Sequence, residues 1–199
     1  IAFICKQLTI QTFSQHIDFP VGCYGAGTGA SVGKLTGFEH AMKSGAGYAE
    51  IILADGLAVG AYMAVNACGE IYDQDKILAG ALADDDRTII SSHRLMLEGY
   101  ERNMGGNTSI GCIITNADLT KTECRMVSTM AHDGLARSIR PVHTSMDGDT
   151  LFTMASGEVK TTIDTVGYLA EEAVRLAVLD AAASAEGMGG RPAYRDIIK

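Results

Sequence analysis

The chain has 199 residues, 47% hydrophobic and 20% charged, with 24 acidic against 16 basic side chains and a formal net charge of −8. That is ordinary globular composition, enough for one domain with a sizeable core, and too acidic for the clustered Lys and Arg of a nucleic-acid surface. No uninterrupted apolar run of about eighteen residues marks a spanning helix, so no membrane partner is expected.

Five cysteines, Cys5, Cys23, Cys68, Cys112 and Cys124, are widely spaced with no C-x-x-C. The spacing speaks against a disulfide framework or a structural zinc site and for buried free thiols in a reducing, cytoplasmic compartment. Residues 1–5 are apolar but run into Lys6 and polar residues, which is not a signal peptide, and the chain has no initiator Met.

In chain order, the first marked feature is the glycine-rich segment 25–34 (GAGTGASVGK), read as a loop or tight turn because glycine costs too much entropy in a helix interior. It satisfies G-x-G-x-x-[GA] through Gly25, Gly27 and Ala30 but lacks a clean flanking strand and helix. It fails the P-loop pattern, since Thr28 stands where Gly is needed and Leu35 replaces Ser or Thr. Residues 48–54 and 57–66 read as strands joined by a two-residue turn at Asp55-Gly56. From 83 to 107 the pattern breaks into a linker with one helical turn near 95–100, and it ends in Gly105-Gly106-Asn107. A short apolar run, 109–115, has buried-strand length.

Thr120 and Glu123 form a capping-box sequence, apolar positions Cys124, Val127, Ala131, Leu135 and Ile139 follow at helical spacing, and Pro141 ends that helix. A polar loop with Asp147-Gly148-Asp149, a strand at 150–155, a long helix from about 163 to 186 and a loose glycine-rich tail complete the chain. Strands followed by strand–helix pairs place it in the α/β or α+β class.

The junction Asn107/Thr108 carries the most information about chemistry. A flexible linker runs directly into Thr and a buried strand. Read alone, Thr108 is a β-former in its preferred place. The functional reading is that its hydroxyl attacks the Asn107 carbonyl, the acyl group shifts to oxygen and the ester hydrolyses. The freed α-amine, with an ordinary pKa of roughly 7.7–8.0, then serves as base for the same hydroxyl.

Lys34 is a basic group on a glycine-shaped loop, and Asn66 ends the second hairpin strand, where its amide can either close a turn or donate to an oxyanion. Asp147 and Asp149 can take part in a metal site, though a D-x-D lacks the other ligands of a calcium loop, or tune a nearby amine. The histidines His16, His40, His93, His132 and His143 have no partner at ligand or triad spacing, and His132 reads as structural.

Four segments, GAGTGASVGK, AVNACGEIYD, GGNTSIGCIITNADLTKTECRMVSTMAHDGLAR with the following IRPVHT, and MDGDTLF, resemble the L-aminopeptidase/D-esterase family, which includes the β-peptidyl aminopeptidases and nylon-oligomer hydrolases. The resemblance covers roughly residues 24–157. It implies an N-terminal-nucleophile-like αββα sandwich in a single domain over residues 1–199, expected to be incomplete at the N-terminus. It further implies autocleavage into 1–107 and 108–199, hydrolysis of small peptides, amides or esters without metal or cofactor, and a homo-oligomer of αβ pairs.

Carried over by position, the resemblance puts the nucleophile on Thr108, an oxyanion amide on Asn66, the basic group on Lys34 and paired acids on Asp147 and Asp149. This set is closest to the Thr-nucleophile branch. Two other readings stand beside it: acyl transfer of the ornithine-acetyltransferase type, and a nucleotide-binding or degenerate module built on the 25–34 loop.

Overall fold

Segment 25–34 forms a turn through its glycines, as predicted, but also carries a short strand that the loop reading did not foresee. In the computed structural model, which describes residues 19–85, 87–100 and 106–197, one 3-10 turn at Gly25–Gly27 leads into a short strand, β1 (Ser31–Val32). The readings placed on Cys5, Lys6, His16, Asp86 and residues 103–105 lie outside the described residues. β1 pairs antiparallel with β2 (Met42–Lys43). The buried Lys43 donates its Nζ to the carbonyls of Gly27, Ala30 and Ser44 at 3.0, 2.7 and 2.6 Å. An ammonium without water is tolerated only with such partners, and these three hold the glycine loop closed from within.

The predicted hairpin forms from β3 (Ala46–Ile52) and β4 (Ala58–Ala64), in register Ile52↔Ala58 to Ala46↔Ala64. Its connection is longer than the expected two-residue turn. Leu53 donates to Leu57 O, Gly56 donates to Leu53 O, and Gly56 sits at φ 85°, the left-handed residue that three-residue hairpin loops require. A hairpin that the sequence pattern did not separate follows, β5 (Glu70–Asp73) with β6 (Lys76–Ala79).

The stretch expected to be pure linker carries structure of its own. β7 (Ala81–Leu82) pairs with β8 (Ile89–Ile90), and a short helix, α1 (Ser92–Leu97), is capped by the Ser91 hydroxyl accepting from Arg94 N–H. The helical turn therefore lies about three residues earlier than predicted, because Ser91 supplies the cap.

β9 (Ile110–Ala117) is followed by α2 (Lys121–Ser138), whose capping box between Thr120 and Glu123 is fully formed. The helix stops before the predicted Pro141. Ile139 leaves it to join β10 (Ile139–Arg140), which pairs with β5. β11 (Thr150–Val159), α3 (Ile163–Ser184) and a short α4 (Tyr194–Ile197) complete the described chain.

The main sheet has the order β11-β9-β4-β3, with β11 parallel to β9 and the other pairs antiparallel. Strand alternation gives it two unlike faces. Val59, Ala61, Met63, Ile113 and Leu151 turn toward α2 and α3 and join Val127, Ala131, Leu135, Ala170, Val174 and Ala177 in one core.

The small residues of β3 are explained by that packing. A Cβ on Gly47 would collide with the α3 backbone at Ala177 and Ala181, and one on Gly134 would strike α3 at Glu171, so both helices lie unusually close. The three-stranded sheet, order β10-β5-β6, packs against the same two helices. The opposite face of the main sheet carries Tyr48, Tyr62, Ile52, Ile110 and Phe152, with the Phe19 ring 4.6 Å from Tyr48 and 5.4 Å from Tyr62. The mixed α/β class and the sheet-plus-helix layering agree with the fold expected from the sequence. Among the described residues no helix is long and apolar enough to cross a membrane.

Candidate active site

The end of β4, the 25–34 loop, the start of β9 and the loop before β11 meet at one place. Each is fixed by backbone pairing. Gly33 N–H donates to Gly69 O and Lys34 N–H to Cys68 O, which clamps the loop beside Asn66. Gly33 is required there: its φ is +74°, and any Cβ would collide with the backbone at Gly80 and Ala81.

Lys34 is thus buried with its Nζ donating to Asn66 Oδ1 at 2.6 Å. Burial lowers its pKa to about 8, against the opposing pull of the Cys68 thiol and the Asp147 charge. The same burial pushes the Cys68 thiol up to about 11. The lysine is turned inward and not across the face of its glycine loop, which weighs against a phosphate-cradling role.

Asn66 is engaged through three groups. Its Oδ1 accepts from Lys34 Nζ and from Ser31 N–H (3.3 Å), its Nδ2 meets Gly106 O at 3.4 Å, and its backbone carbonyl accepts from Thr108 N–H at 2.8 Å. The lysine fixes which side of the amide is oxygen. Exposure alternates along this stretch: Gly106, Thr108 and Ile110 are exposed, while Asn107 and Ser109 between them are buried, so the Thr108 side faces outward. Its Oγ1 lies 2.5 Å from the Asn107 carbonyl oxygen, and that oxygen also accepts from Gly148 N–H at 2.9 Å.

The two aspartates grip backbone on both sides of this junction. Asp147 Oδ1 accepts from Cys68 N–H (3.1 Å) and its Oδ2 from Thr144 N–H and Oγ1. Asp149 Oδ1 accepts from Ser109 N–H at 2.8 Å, and its Oδ2 meets His143 Nδ1 at 2.9 Å. Asn107 also bridges to Asp147 in parallel β fashion. All six residues singled out in the sequence, Lys34, Asn66, Asn107, Thr108, Asp147 and Asp149, therefore belong to one connected cluster.

One expectation fails. His143, expected to lack a partner, is bound to Asp149, and its ring packs edge-on against His132 with centroids 4.9 Å apart. Sequence spacing missed this because His143 stands at φ 54°, a left-handed conformation that turns the side chain back on its own loop. The aspartates hold peptide N–H groups, and the Asp147 charge also acts on the Lys34 amine without a direct ion pair. Gly148, Ser109 and Thr144 were not anticipated. Gly148 lay between two singled-out acids, and its amide acts through a bond no side-chain motif encodes.

The cluster thus brings together an exposed threonine just before a strand, a carbonyl oxygen that accepts from two donors, a buried amine and two carboxylates anchored on backbone amides. The chain matches the model of Peptidase family S58 over residues 6–195, and it belongs to that family. The match extends beyond residues 24–157, where the resemblance had been legible, at both ends.

It is 35% identical over 201 residues to an uncharacterized aminopeptidase of Mycobacterium leprae, covering 90% of this chain and 53% of the relative. A 6-aminohexanoate-oligomer endohydrolase of Paenarthrobacter ureafaciens is 32% identical over 152 residues, 71% of this chain and 41% of that protein. The chain spans about half the length of the curated relatives it matches.

Among solved structures, the L-aminopeptidase D-Ala-esterase/amidase of Ochrobactrum anthropi, described as a variant among the Ntn hydrolase fold, superposes with a TM-score of 0.60 at 19% identity, over 87% of this chain and 47% of that one. A Burkholderia sp. beta-aminopeptidase gives a TM-score of 0.59 at 21% identity, over 88% and 50%. These likenesses establish the Ntn-hydrolase type of fold.

Proposed function

We propose that this chain carries the nucleophile of a self-processing aminopeptidase or amidase that hydrolyses small peptides, amides or esters through an acyl-enzyme on Thr108. The observation that carries the reading is the junction itself: the Thr108 hydroxyl 2.5 Å from the Asn107 carbonyl oxygen, at an exposed residue flanked by two buried ones. The relatives named as aminopeptidases and as an amide-oligomer hydrolase support the substrate class.

In the processed form the Thr108 amine takes the hydroxyl proton, the hydroxyl attacks the substrate carbonyl, and the leaving amine departs with that proton. Water then cleaves the ester and returns a proton to Oγ1. Asn66 supplies an oxyanion donor once Gly106 O withdraws from its Nδ2. Lys34 orients Asn66, and Asp147 with Asp149 fixes the loops and sets the local charge. This chemistry calls for no metal or organic cofactor. αβ pairs, residues 1–107 with 108–199, assemble into a homo-oligomer, which light scattering of the purified protein would read directly.

Denaturing mass spectrometry tests the proposal. The wild-type chain should give two pieces divided between Asn107 and Thr108, while Thr108→Ala stays whole. An intact wild-type chain that still hydrolyses amino-acid nitroanilides would sink the mechanism.

A further inference from the structure

We propose that the backbone amide of Gly148 is the electrophilic donor for self-cleavage, holding the Asn107 carbonyl oxygen and stabilising the charge that forms on it when Thr108 attacks. The inference rests on the self-processing reading and gives the first of its two reactions a donor separate from Asn66.

Three observations converge on it. First, Gly148 N–H already lies 2.9 Å from the carbonyl oxygen of the bond to be cut, and Thr108 Oγ1 approaches the same group. Second, Asn66 is otherwise employed in the uncut chain. Its Oδ1 is held by Lys34, its Nδ2 faces Gly106 O, and its backbone carbonyl holds the Thr108 N–H, the nitrogen that must leave.

Third, the amide is held in place before the reaction. Asp147 on one side is anchored to Cys68 N–H and Thr144, Asp149 on the other to Ser109 N–H and His143, and Thr150 N–H donates to Ser109 O at 3.0 Å. A donor fixed ahead of charge development costs no reorganisation as the oxyanion appears. Glycine also suits the position sterically, since a Cβ there would stand 2.9 Å from Thr108 Oγ1.

A bond forms from Thr108 Oγ1 to the Asn107 carbonyl carbon, and the C=O electron pair moves onto the oxygen facing Gly148 N–H. The hydroxyl proton is delivered to Thr108 N, the C–N bond breaks, and the carbonyl is restored as an ester. Water then adds to that ester, the C–Oγ1 bond breaks, and the products are the Asn107 carboxylic acid and a free N-terminal Thr108.

The test replaces Gly148 by glycolic acid, through semisynthesis of the full chain, so that an ester oxygen stands where the N–H was. The readout is the rate at which the two pieces appear in denaturing mass spectrometry. A control ester at position 150 removes the Thr150 N–H bond to Ser109 O, an equal backbone loss in the same loop.

Cleavage slowed about 10²- to 10³-fold at 148 and less than threefold at 150 supports the assignment. Equal slowing at both positions, or a rate at 148 within threefold of wild type, overturns it while leaving self-processing intact. A wild-type chain that never divides overturns the self-processing reading itself. Gly148→Ala gives a second measure: its methyl crowds the Thr108 hydroxyl, and cleavage should slow at least tenfold with the circular dichroism spectrum unchanged.

Discussion

At the scale of single residues, Lys34 illustrates how a charge is kept where water is excluded. Its pKa of about 8 lies well below the ordinary lysine value of 10.5 because burial disfavours the ammonium. The folded chain therefore releases this proton near pH 8 while the unfolded chain keeps it to about pH 10.4, so stability rises with pH across that window. Cys68, with its thiol raised to about 11, pulls the other way over the same range, so the Lys34 contribution is read by comparing chains: between pH 8 and pH 10.5 the stability change in urea titrations should differ between wild type and Lys34→Met by an amount on the order of 3 kcal/mol. The same variant deprives Asn66 Oδ1 of its 2.6 Å donor, and self-cleavage is expected to slow by about 10- to 100-fold, read from gel densitometry over time. Lys34, Asn66, Thr108, Asp147 and Asp149 were singled out through the family resemblance of their segments, and the fold brings them into one cluster. Gly148 and His143 were not, because one acts through its backbone and the other through a positive φ.

At the scale of elements, β5 and α1 are joined by a buried carboxylate. Glu70 is fully buried, accepts from Ser92 N–H at 3.0 Å through Oε2, and its Oε1 meets no hydrogen-bond partner among the described residues. Burial raises its pKa to about 7, with the Ser92 bonds pulling the other way. A raised acid contributes most below the unfolded value near 4.5 and loses that contribution as pH climbs through 7. The unfolding free energy from urea titrations should therefore fall from pH 4.5 to 7.5 by an amount on the order of 3 kcal/mol, and Glu70→Gln should flatten that slope. Helix packing offers a second check. Gly134→Val forces apart α2 and α3, and a loss of about 2–4 kcal/mol is expected in denaturant unfolding. The long helices, with their caps and apolar stripes, were readable to within a few residues. β5, β6, β7 and β8 were not, since strands of two to four residues are set by tertiary pairing and leave too short a pattern to detect.

At the scale of the molecule, the bond after Asn107 stands at the entrance to β9, which is flanked by β4 on one side and β11 on the other. A cut there leaves the β4–β9 ladder, from Val59↔Thr115 to Ala64↔Ile110, joining the two pieces, and α3 still covers β3 and β4. The pieces should therefore co-elute in gel filtration under native buffer and separate only in denaturant. The layered α/β arrangement was legible from element order, whereas the pairing of β9 between strands from either side of the cut was not. That arrangement also means that Thr108 N–H meets the carbonyl of Asn66, and the Asn107 carbonyl the amide of Gly148, only after segments some forty residues away on each side have docked. Under the proposed processing, an N-terminal threonine is a receipt for completed folding: chains that misfold never acquire the reactive amine, and so never become stray hydrolases. Chain held in urea should remain undivided and begin to split only on refolding; splitting in the unfolded state would contradict this proofreading.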